Sequence, residues 1–209
     1  MGWFVRDVPA DAIARETGVH RKRVLRALTV VRSALSRSLH GEEVTRDVAR
    51  SPADAPVVGL RVCETSPVAE LVSDLSAMAL GRQLRPPADL VAEFPQLAAY
   101  VAIIWRGQLR WLRELPAGER GEFSAFWAYL RRQLTARGGR RRARLGLFLA
   151  EFSWRYRFRK LDPDVQVQQV LRLVGGGEVS RVGLSSTVHD ARKAPTAAEP
   201  ARNGSGVNR

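Results

Sequence analysis

The sequence predicts an α/β protein of the α+β kind: a helical N-terminal module, a small sheet, and a helical C-terminal part ending in a disordered tail. Three observations predict it. Apolar residues recur at helical spacing over residues 1–40, two short β-branched runs lie near residue 60, and aromatic residues recur at helical spacing between residues 123 and 158. With 209 residues, 45% hydrophobic and 26% charged, the chain is long enough for one sizeable core. The apolar run from Leu97 to Trp105 is too short to span a bilayer, and the N-terminus lacks the basic, apolar and small-residue order of a signal peptide. A cytoplasmic location without a membrane partner is therefore expected. Cys63 is the single cysteine, which allows no internal disulfide and no cysteine-based zinc site.

The first forty residues read as a short apolar helix, a turn, a helix entered at Pro9, a glycine turn at Gly18 and a long basic helix, which is a helix-turn-helix pattern. Ile13 and Ala14 supply the inward face of the middle helix, and Val24, Leu28, Val31, Leu35 and Leu39 that of the long one. His20, Arg21, Lys22, Arg23, Arg26 and Thr29 gather at the start of that third helix, where a recognition helix offers donors to major-groove edges and flanking phosphates. Residues 41–55 show neither helical nor strand period and read as a linker. PVVGLRVC and PVAELVSD, separated by Glu64, Thr65 and Ser66, predict a hairpin. Leu75 to Leu84 reads as a helix stopped by Pro86 and Pro87, and Ala98 to Trp105 as a buried central strand. A helix is expected from Pro116 to Thr135, a break at Gly138 and Gly139, a helix resuming near Ala143, and a last helix from Pro163 to Val174. Phe126, Trp127 and Leu130 on one helix, with Leu147, Phe148, Phe152 and Trp154 on the next, are expected to form core. The chain thus divides into a 1–40 module, the 41–55 linker, a 56–174 domain and a disordered 175–209 tail.

A formal net charge of +13 points to a polyanionic partner, because neutralising phosphates releases condensed counterions. The excess is concentrated: residues 106–160 hold 15 Lys and Arg against 4 Asp and Glu. Nearly all of it is Arg, whose planar fork donates to phosphate in pairs. Arg131, Arg132, Arg140, Arg141, Arg142 and Arg144 form a second candidate phosphate-contacting surface around the glycine turn. Double-stranded DNA is the partner this pattern suits. A single-strand RNA binder would need exposed aromatics among the arginines, and the aromatics here lie at core spacing. Ser124, Ser153, His20, His40 and His189 form no nucleophile elbow or paired arrangement that would suggest a hydrolase.

The run FSAFWAYLRRQLTARGGRRRARLGLFLAEFSWRYRFRK at residues 123–160, with its FW pair, its arginine-loaded Gly-Gly turn and its EF-x-WRY segment, resembles the C-terminal end of bacterial insertion-sequence transposases of the ISXO-like DDE type. FVRDVPADAIARETGVHRKRVLRAL resembles their N-terminal helix-turn-helix, and Pro56 to Leu60 with Glu70 to Ala77 resemble two successive strands. The resemblance implies a reduced RNase-H-like core, action in DNA transposition at insertion-sequence ends, a homo-oligomer as an allowed state, and two divalent ions, magnesium or manganese, held by carboxylates. It also implies where those acids belong. Asp47 stands as candidate for the first, without the glycine-rich sequence expected after it; Ile103 and Ile104 occupy the region of the second, beside a retained Trp105-Arg106-Gly107; Ser124 stands in place of the third, with Glu122 two residues away as the substitute candidate. Two positions along a helix rotate a side chain by about 200°, so Glu122 is not placed for the same metal. Arg157 replaces an asparagine of the family pattern, and Asp47, Glu70, Asp74 and Glu122 are expected to be solvated or structural acids. The expected function is that of a transposase-family DNA-binding protein that has lost the two-metal reaction, the alternative being a helix-turn-helix repressor derived from such an element.

Overall fold

The computed structural model describes residues 1–40, 56–76, 80–81, 85–136 and 144–175. The chain opens with α1 (Gly2–Val5), α2 (Ala10–Thr17) and α3 (Arg21–His40). Gly18 ends α2 in the left-handed conformation at φ 66, which glycine adopts without steric cost and which turns the chain sharply into α3. Ile13 and the Val24, Val31, Leu35 and Leu39 row are buried. The helix order and faces follow the sequence pattern.

Strands β1 (Pro56–Cys63) and β2 (Ser66–Ser76) form an antiparallel hairpin closed by Glu64 and Thr65, with Glu64 left-handed at φ 57. Strand β3 (Ala102–Trp105) pairs antiparallel with β1, and β4 (Gln108–Trp111) pairs antiparallel with β3, giving the order β2-β1-β3-β4. Arg106 and Gly107 both take positive φ, which makes their two-residue connection a type I′ turn matched to the twist of the strands. The architecture is therefore helices plus a small antiparallel sheet of four strands.

Alternation along the strands splits the core between the two faces of the sheet. Val58, Leu60, Ala102 and Ile104 pack on Phe123, Phe126 and Leu130 of α5 (Ala117–Ala136) and on Leu149, Phe152 and Tyr156 of α6 (Leu145–Phe158). Val57, Val72, Ile103 and Trp105 pack on the other face against Leu90 of α4 (Pro87–Glu93) and Leu97 of the 3-10 turn Pro95–Ala99. A third cluster joins Phe4, Val31, Leu35 and Leu39 of the N-terminal helices to Val68 of β2, Ala150 and Trp154 of α6, and Val170 of α7 (Pro163–Val174). The N-terminal helices thus share buried surface with the C-terminal ones. Of the aromatics expected in the core, Phe126, Phe152 and Trp154 are essentially inaccessible, while Trp127 and Phe148 are half-buried and pack against its edge.

Two expected elements differ. β2 extends through Ser76, so no helix begins at Leu75, and residues 77–79 and 82–84 of the expected helix lie outside the described residues. Pro86 and Pro87 open α4 rather than stopping a helix before it, since Pro87 at the first helical position lacks only an N–H that would be unpaired there. The strand expected from Ala98 starts at Ala102, because the preceding residues close the 3-10 turn led by Pro95. The last helix begins at Pro163 as expected, with the Asp162 carboxylate accepting from the Asp164 N–H at 2.8 Å. The 41–55 linker, the break at Gly138 and Gly139 and the tail beyond Gly175 lie outside the described residues. Among the described residues, no helix is long and apolar enough to cross a membrane.

Gly59 is fixed by contact rather than by conformation. A Cβ there would lie 2.2 Å from Cδ1 of Tyr100. Gly59→Ala is expected to destabilise the fold by about 1–3 kcal/mol through overpacking, read as a lowered urea midpoint with an unchanged m-value.

Candidate nucleic-acid interface

The turn at Gly18 and an ion pair between Asp11 of α2 and Arg21 of α3 set the first turn of α3 against α2. His20 lies just before α3, and its Nδ1 accepts from the Lys22 N–H at 3.2 Å, so the ring caps the helix end with a lone pair. Lys22, Arg23 and Arg26 are exposed and have no carboxylate partner among the described residues. Thr29 is half-buried; its hydroxyl donates to the Leu25 carbonyl at 2.8 Å, and Arg144 Nη1 lies 3.4 Å from the same oxygen. The sequence reading missed two residues of this face. Ala27 is exposed and Val30 is 55% exposed; both follow Arg23 at i+4 and i+7 and add an apolar strip beside the cations. Their spacing from Arg23 was the available signal.

The Arg144 contact brings the start of α6 to α3, so the two basic regions of the sequence meet. Arg131 and Arg132 are exposed on the last turns of α5, with the Arg132 guanidinium 5.9 Å from the Tyr129 ring centroid. Arg140, Arg141 and Arg142 lie outside the described residues.

What holds α3 in place is a buried charge cluster. Glu151 of α6 is 0% exposed; its Oε2 accepts from Arg32 Nε of α3 at 2.5 Å and its Oε1 from Arg155 Nε at 3.0 Å. Arg155 also donates from Nη1 to the Val5 carbonyl at 3.0 Å and from Nη2 to the Phe4 carbonyl at 2.5 Å, satisfying the C-terminal carbonyls of α1. Arg32 lies over Phe148 and Arg155 over Phe4, 4.5 and 4.6 Å from the ring centroids.

The positions implied for metal-binding acids are occupied differently. Ile103 and Ile104 are buried hydrocarbon on opposite faces of β3, one in each core cluster. Ser124 is exposed on α5 and returns its hydroxyl to the Arg120 carbonyl at 2.9 Å. Glu122 pairs with Arg159 at 3.0 Å, while Tyr156 reaches the Glu122 carbonyl at 3.4 Å. Asp47 lies outside the described residues, as does the side chain of Asp74. No group of three or more His, Cys, Asp or Glu that could hold a metal occurs among the described residues. Hard divalent cations want several anionic oxygens, so the described residues at these positions do not fit such an ion. Trp105-Arg106-Gly107, retained in the sequence, forms the β3–β4 turn.

Glu70 belongs to a separate polar cluster beside β1. Its carboxylate lies 2.6 Å from His40 Nδ1 and 3.1 Å from Arg61 Nε, and Arg61 Nη2 donates to the Leu39 carbonyl at 3.0 Å, tying the end of α3 to the sheet. Burial pushes the Glu70 carboxyl up, but the His40 contact and the Arg61 guanidinium outweigh it and hold it below its ordinary value. The same buried carboxylate, together with burial, pushes the Tyr100 phenol well above its ordinary value.

No protein-family model, curated protein or solved structure matches this chain.

Two predictions follow from these clusters. Glu151→Ala leaves two largely buried guanidiniums without their carboxylate and is expected to cost about 3–5 kcal/mol of stability, measured by denaturant unfolding. A carboxyl whose pKa is lowered on folding stabilises above its unfolded value of 4.5, and that contribution is lost as pH falls through the folded value. The acid limb of the stability–pH profile should therefore be shallower in Glu70→Gln than in the parent protein.

Proposed function

We propose that this chain is a transposase-family DNA-binding protein that holds insertion-sequence ends in duplex form without cutting them. The observation that carries this reading is the outward face of α3. Lys22, Arg23 and Arg26 stand exposed just beyond the left-handed Gly18 turn, without carboxylate partners among the described residues, and flank the apolar pair Ala27 and Val30. Such a face combines donors for phosphates and guanine edges with methyl groups suited to thymine. Arg144 beside Thr29, with Arg131 and Arg132 on α5, supplies further cations for the adjoining backbone. The non-cutting half of the proposal is supported by the buried isoleucines of β3 and by the Glu122 to Arg159 pair, because neither offers anionic oxygens to a divalent ion. The same surface serves a repressor of the element equally well, and absence of cleavage favours that second reading over a working recombinase.

The test uses the full chain and labelled duplexes, including candidate inverted repeats, in retardation assays over a salt series. Binding should weaken steeply with salt, and Arg23→Ala with Arg26→Ala should reduce the magnitude of the log–log slope by about 0.9 for each phosphate contact removed. A slope unchanged in the double variant sinks the assignment to α3. Nicking and strand transfer are scored in parallel with magnesium and manganese, and no product is expected. Metal-dependent cleavage that disappears in Glu122→Ala would overturn the non-cutting assignment.

A further inference from the structure

A cavity of about 600 Å³ opens between α3, the end of α5, the start of α6 and the α1–α2 connection. Its volume is in the range of small-molecule sites. Apolar walls come from Leu25 and Leu28 of α3, Leu134 of α5, and Leu145 and Phe148 of α6. Its charged lining holds the guanidiniums of Arg21, Arg32 and Arg155 and the carboxylates of Asp7 and Glu151. Arg155 is committed to Glu151, Asp7 and two carbonyls, and Arg21 to Asp11. Arg32 is paired to Glu151 by one edge alone. Its side chain is only 11% exposed, it donates through Nε alone to Glu151, and among the described residues neither Nη1 nor Nη2 reaches an acceptor. A guanidinium pinned by one edge, stacked on Phe148 and open at its fork, is preorganised for a planar anion.

We propose that this cavity is a binding site for a small apolar carboxylate, aromatic or of similar bulk, with its carboxylate on the Nη fork of Arg32 and its hydrocarbon body among Leu25, Leu28, Leu134, Leu145 and Phe148. The carboxylate completes the donor set of Arg32. The hydrocarbon removes apolar wall from water. The site is separate from the DNA-facing side chains of α3, and its existence does not depend on DNA binding.

Isothermal calorimetry on the full chain, without DNA, tests it with 2-naphthoate and its neutral counterpart 2-naphthylmethanol at low ionic strength. The acid should bind saturably and at least about tenfold more tightly than the alcohol, as expected for one charge-assisted bidentate contact. Arg32→Lys keeps a cation for Glu151 but loses the fork, and should reduce that preference to under about threefold. Leu25→Trp fills the cavity from α3 and should weaken both probes at least tenfold while far-UV circular dichroism stays unchanged. Equal affinities for acid and alcohol, absence of saturable heat with the acid, or affinity undiminished in Leu25→Trp would each overturn the proposal.

Discussion

The fold depends on one buried acid. Glu151 sits in the middle of α6, out of contact with water, and an isolated carboxylate there would cost several kcal/mol. Arg32 from α3 and Arg155 one turn further along α6 neutralise it, and Arg155 spends its remaining donors on the carbonyls that end α1. One carboxylate therefore determines how two N-terminal helices sit on a C-terminal one. Apolar contacts among Phe4, Leu35, Ala150, Trp154 and Val170 supply area, but they tolerate sliding in a way that directed donors to a single acid do not. The orientation so fixed leaves Arg23, Arg26, Ala27 and Val30 on the outside.

Strand β3 plays the corresponding part for the sheet. Paired on both edges and buried on both faces, it puts Ala102 and Ile104 under α5 and α6 and Ile103 and Trp105 under α4. An acid at Ile103 or Ile104 would have to be charged inside one of these clusters. Isoleucine in this strand is a packing residue.

Much of this was legible in the sequence where a local signal was strong. Gly18 marked the α2–α3 turn, the Asp162-Pro163 pair marked the start of α7, and the aromatic spacing identified the helices that cover the sheet. Prolines misled in the middle of the chain, since Pro86 and Pro87 carry the same residue signal at the start of a helix as after its end, and only tertiary packing decides. The candidate interface was legible as a charge pattern but not as a geometry. Period placed Arg23 and Arg26 outward, yet nothing local told that His20 would cap α3, that Thr29 would return its hydroxyl to Leu25, or that Arg144 would arrive beside it. Glu151 and Arg32 went unread for the same reason. A lone acid in an apolar helix is a visible anomaly, but its partner lies 119 residues away.

That separation has a consequence for how the protein is made. On a ribosome adding about 5–20 residues each second, α3 emerges roughly 6–24 s before the glutamate that will receive Arg32. During that interval Val31, Leu35 and Leu39 form an apolar stripe whose covering helix has not been synthesised. The nascent N-terminal helices thus carry uncovered apolar surface on one face and the exposed cations Arg23 and Arg26 on the other while the chain is still tethered to its own message.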